Sequence, residues 1–63
     1  MTRKDYIVIA DAIKESAKDV QHNKDAMIAI EVVAGRIAAV MAADNTNFNP
    51  KTFFTACGLY KGN

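Results

Sequence analysis

One histidine, His22, and one cysteine, Cys57, are the side chains of this 63-residue chain best suited to act as base and nucleophile near neutral pH. They can work together only where the turn after a first helix meets the end of a last one. Read separately, His22 is a solvated turn residue and Cys57 a small apolar residue closing a helix. The carboxylates Asp11, Glu15, Asp19, Asp25, Glu31 and Asp44 have no histidine partner at a metal-ligand spacing. Glu31 alone in the second helical stretch cannot carry a dinuclear carboxylate site. Gly35, Gly58 and Gly62 are isolated, so no loop is built to cradle phosphate. The inventory predicts no catalytic, cofactor-binding or metal-binding residues, and hence a protein that is not an enzyme but works by association.

Eight Lys and Arg against seven Asp and Glu leave a net charge of +1. Binding to the phosphate backbone draws on a large basic excess, so nucleic acid is not the expected partner. A helix-turn-helix needs base-reading side chains on its recognition helix, and here that helix would offer only Lys51, Thr52 and Thr55. A single cysteine excludes an intrachain disulfide. No apolar run of signal or membrane length stands out, which predicts a chain with no membrane partner.

Three elements must position whatever the surface offers. Thr2 and Asp5 have the spacing of an N-terminal cap, and Tyr6, Ile9, Ala10, Ile13, Ala17 and Val20 recur on one narrow face. That predicts a helix over 3–20, with Val8 projecting among the charged residues. Asn23 is the N-cap expected for a second helix over 24–43. Met27, Ile30, Ala34, Ile37 and Met41 form its seam against a nearly antiparallel neighbour, widened by Val33 and Val40. A second stripe, Ile28, Val32, Gly35 and Ala39, runs along nearly the opposite side. Apolarity on two sides predicts burial on two sides. The short hairpin cannot supply both covers, so the second stripe is the expected self-association or partner interface.

The tail carries most of the aromatic mass. Asn49-Pro50 is an N-cap followed by proline at the first helical position, where its missing amide costs nothing. A third helix is expected over 50–57. Phe48 before the cap and Phe53 within the first turns have the hydrophobic-staple spacing. Gly58 is placed for a left-handed ending, with Leu59 touching Phe54. A helix this short does not persist alone in water, so Phe53 and Phe54 must also anchor it. Phe48, Phe53, Phe54, Leu59 and Tyr60 are thus a lid over the core or, failing that, a partner surface, and Tyr60 to Asn63 are expected to fray.

The segments MTRKDYIVIADAI, IAIEVVAGRIAAVMAADN and NFNPKTFFTACG together resemble small helical proteins of phages and prophages. In those proteins an opening like MTRKDY recurs, as does an ending of ADN, then Phe, then a hydrophobic pair before ACG. The likeness covers most of the chain and runs through caps and core positions. Thr46 in place of proline after Asn45 departs from the commoner loop, as do the added residues Tyr60 to Asn63. The resemblance implies a protein of the bacterial cytoplasm, made during infection or lysogeny, that binds a host protein such as a component of an anti-phage defence system.

The expected architecture is one all-α domain, 1–63: a helical hairpin closed by a short C-terminal helix and paired into a homo-oligomeric bundle. Its core is expected from Tyr6, Ile9, Ile13, Met27, Ile30, Ile37, Met41, Phe53 and Phe54. The expected function is that of a small phage accessory protein acting by protein–protein association, as an inhibitor of a host defence protein. The alternatives are a compact DNA-binding regulator and an oligomer that sequesters a small molecule.

Overall fold

A computed structural model describes residues 3–59; the expectations for Thr2 and for Tyr60 to Asn63 lie outside them. The chain is all-α, with three helices packed together: α1 (Arg3–Asp19), α2 (Lys24–Asp44) and α3 (Pro50–Ala56).

The boundaries of α2 and α3 have local causes. Asn23, in extended conformation, accepts the Ala26 amide through Oδ1 at 3.0 Å and so satisfies one orphan donor of α2. At the other end the Asn45 amide donates to the Met41 carbonyl at 2.9 Å. The Asn45 side chain then accepts from the Asn47 amide at 3.0 Å, turning the chain away from the helix. Asn49 caps α3 by accepting from Lys51 N and Thr52 N, at 3.0 and 3.3 Å. After Cys57, Gly58 takes φ 74°, a conformation other residues adopt only with strain. Gly58 N then donates to the Thr55 carbonyl and Leu59 N to that of Phe54, both at 3.0 Å, the two bonds of a Schellman ending.

The core lies where the three helices meet, toward the C-terminal end of α2. Its buried members are Ala10, Ala38, Met41, Phe53 and Cys57, with Tyr6, Ile9, Ile13, Ile37, Phe48, Phe54 and Leu59 packed around them. Small side chains are the most deeply buried because they stand at the helix crossings, where backbones come closest. Ala38 was not foreseen there. Met27 and Ile30 are only half-buried and stand outside this cluster, because α3 packs against the other end of the hairpin. Tyr6, Phe48, Phe53 and Phe54 form a continuous chain of ring contacts, with centroids 5.2, 5.7 and 6.0 Å apart. The Phe48–Phe53 link is the staple, and it joins the entry of α3 to α1 through Tyr6. Contact between α1 and α3 is more extensive than between α1 and α2, so the third helix is a full partner in the core rather than a cover added to a finished hairpin.

Candidate functional site

Two surface features stand apart from the core. The first is α2 itself. Only Ala34, Ala38 and Met41 are buried along its 21 residues. Ile28 and Val32 of the second stripe are 49% and 51% exposed, Ala39 is exposed and Gly35 is half-buried. Among the described residues, burial on two sides therefore does not occur: the seam is largely covered and the second stripe is not. Val33 and Val40, expected to widen the seam, are also exposed, Val40 to 70%. Val33 borders a shallow hollow with Ala12, Ile13 and Ser16 of α1 but is not covered by them, because the neighbouring helices span too narrow an arc to close over the widened seam. An added Cβ at Gly35 would meet nothing within 4 Å, so the backbone there is open to close approach from outside.

The expectation that no apolar run has membrane length is corrected by the same helix. By length and composition alone, Lys24–Asp44 could cross a membrane, with a mean hydropathy of 1.9 over its most apolar 18 residues. Alanines and valines spread through the helix gave no single block to notice, yet their sum is high. Glu31 and Arg36 interrupt that stretch.

The second feature is a groove of about 600 Å³ between the N-terminal half of α1, the 45–49 connection and the outer side of α3. Ala10, Phe48 and Phe53 form its floor, Ile7 and Ala56 are apolar walls, and Arg3, Tyr6, Asn45, Asn47, Asn49 and Thr52 supply polar atoms. Ala10 and Ala56 leave the width, where longer side chains would close it. Sequence reasoning missed this hollow. Its only signals were the spaced asparagines 45, 47 and 49, which read as turn residues, and Ile7, which fits neither face of α1 cleanly.

The aromatic tail is divided by the fold. Phe53 is buried, Phe48, Phe54 and Leu59 are half-buried against the core, and Tyr60 lies outside the described residues. The reactive groups are placed less favourably. His22 is exposed in the turn between α1 and α2. Cys57 is fully buried, and burial pushes its thiol pKa above the ordinary value, which disfavours the nucleophilic thiolate. Among the described residues no three His, Cys, Asp or Glu side chains converge as a metal site would require. On α3, Lys51, Thr52 and Thr55 are exposed, but the Thr55 hydroxyl donates back to the Lys51 carbonyl at 2.9 Å.

No family model, curated protein or solved structure matches the chain.

Proposed function

We propose that this is a small non-enzymatic association protein whose contact face is the exposed stripe of α2 and whose first partner is a second copy of itself. The observation that carries the reading is the exposure of Ile28 and Val32 beside open space at Gly35, on a helix whose apolar content far exceeds what its own chain covers. A contiguous uncovered apolar face on so small a domain marks an interaction surface.

A second copy fits for a reason internal to the stripe. In an antiparallel two-fold pair centred between Val33 and Ala34, Ile28 falls opposite the partner's Ala39 and Val32 opposite the partner's Gly35. Large side chains then meet small ones at every level, and the patch complements itself. A bilayer is the competing cover. Placing Glu31 and Arg36 near mid-membrane would cost about 2.5–3.5 kcal/mol each. At a protein interface both charges can stay at a wet rim.

The resemblance to phage and prophage proteins supplies the setting of the proposal: the bacterial cytoplasm, with the paired protein binding a host protein, such as a defence component. The test is the mass in solution. Light scattering behind size exclusion should give about twice the 6.9 kDa chain mass at micromolar concentration, and Gly35→Leu should return it to one chain while its helical circular dichroism is kept. A single-chain mass at high micromolar concentration defeats self-association and leaves the face to a host protein. Co-sedimentation with lipid vesicles in place of pairing assigns it to a membrane.

A further inference from the structure

The hydrogen bonds around the groove on α1, α3 and the 45–49 connection are unequally distributed. Both lone pairs of Asn49 Oδ1 are taken by Lys51 N and Thr52 N, and Asn45 Oδ1 already accepts from the Asn47 amide. Asn45 Nδ2 donates to the Tyr6 hydroxyl at 3.4 Å, so the Tyr6 oxygen is an acceptor and its proton is left for another group. The Asn45 and Asn49 side-chain oxygens are thus taken by the loop that builds the rim, while the Asn47 side-chain amide, which also lines it, keeps one acceptor beside its donors. Among the described residues, the donors that remain include the Tyr6 hydroxyl, the Asn47 and Asn49 amide nitrogens, the Thr52 hydroxyl and the Arg3 guanidinium. Among the described residues, Arg3 is also the only permanently charged side chain lining the groove, and no carboxylate lines it. Beneath this rim, Phe48 presents ring surface over the buried edge of Phe53, with Ile7 as an exposed apolar wall.

From this arrangement we propose that the groove binds a small acid: a planar or aromatic body with one anionic group, carboxylate or sulfonate. The volume, about 600 Å³, lies within the range of small-molecule sites, and an apolar floor with a few converging polar groups is their usual make-up. The body of the ligand lies chiefly against the Phe48 ring, where offset or edge contacts are favoured. Its anionic group sits at the rim, where the Arg3 fork can hold two oxygens at once and the Tyr6 hydroxyl donates to the same charge. A neutral ligand would forgo the charge-assisted bond to Arg3, and a cationic one would set two positive charges together. This site is independent of the α2 face and stands whether or not the chain pairs.

Two fluorescent probes of similar shape test it on the full chain: 1-anilinonaphthalene-8-sulfonate, which carries the anion, and N-phenyl-1-naphthylamine, which lacks it. The sulfonate should bind saturably, and Arg3→Gln should weaken it roughly tenfold, as expected for a charge-assisted hydrogen-bonding group. The neutral probe should bind more weakly than the sulfonate and respond to Arg3→Gln by less than about twofold. Ala56→Leu narrows the groove from an exposed helix position without touching the core, and should weaken both probes. Amide chemical-shift changes on sulfonate addition should centre on Ile7, Ala10, Thr52 and Ala56. Absence of saturable binding overturns the proposal, as does an Arg3→Gln variant that binds the sulfonate as well as the parent. Shift changes centred on Ile28 and Val32 overturn it too, because the probe would then be seated on α2.

Discussion

Helices α3 and α2 are opposite solutions to the same shortage of chain. The seven residues of α3 are too few to form a helix in water. Yet every device that fixes a short helix is present: a side-chain cap, proline at the first position, a ring staple and a glycine-assisted ending. The 21 residues of α2 have ample length and apolar content, and bury only three side chains. Stability is concentrated in the smaller element, and unspent surface in the larger. It follows that substitutions in α3 should unfold the protein, and substitutions on the outer side of α2 should change what it meets.

The sharpest way to break this contrast is Phe53→Ala. Phe53 is buried in the core and links the ring chain to α3. Its truncation should cost about 3–5 kcal/mol, a large part of the stability of a small domain. Thermal melts followed by circular dichroism measure it. A midpoint within a few degrees of the parent's would mean that α3 is not an anchor, and the contrast would fail at its stronger end.

Asn49→Ala should cost about 1 kcal/mol, because Lys51 N and Thr52 N lose their shared acceptor at the start of α3. Denaturant titration reads the difference. Asn23→Ala is the matched control at the start of α2, where one amide is capped rather than two. The smaller loss should be at Asn23, since a long helix tolerates fraying of its first turn better than a helix of two turns.

These caps were legible in the sequence because they are local. Asn23, Asn49-Pro50 and Gly58 act on residues two or three positions away, and the Phe48–Phe53 and Phe54–Leu59 pairs span only five. What was not legible was the division of α2 into covered and uncovered arcs. Periodicity identifies apolar stripes but not which stripe faces a neighbour, and Val33 and Val40 were assigned to the seam on angle alone. Ala38 buries more completely than Ile30 because of where α3 lies, which no pattern within α2 encodes. The groove was hidden for a related reason: it is made by three segments distant in sequence, and two of its lining positions matter for being alanine.

Cys57 offers a pH test of the same region. Its thiol pKa is raised by burial above the ordinary value of 9.0. The folded state therefore favours the neutral thiol, so this contribution to stability is fully present below the unfolded-state pKa and is lost as pH rises through the folded-state value. Melting midpoints from pH 7 to pH 10.5 should fall more steeply for the parent than for Cys57→Ala, which has no thiol to ionise. Parallel curves would show that the thiol reaches solvent without opening the core.

The smallest effect on folding, and the one that sharpens the comparison most, is expected from Ile28→Ser with Val32→Ser. Both side chains are about half exposed and neither belongs to the core cluster. Truncating and polarising them should change the stability of the single chain by no more than about 0.5 kcal/mol, the usual range for surface positions. The parent, however, gains stability from pairing by mass action, so its melting midpoint should rise with protein concentration while that of the double variant stays constant. Measured at low micromolar concentration the two midpoints should nearly coincide, and at several hundred micromolar they should separate. A concentration-independent parent midpoint would remove self-association from the account of α2. A double variant that unfolds even when dilute would show instead that the stripe supports the fold of one chain, so that the uncovered surface of α2 was never spare.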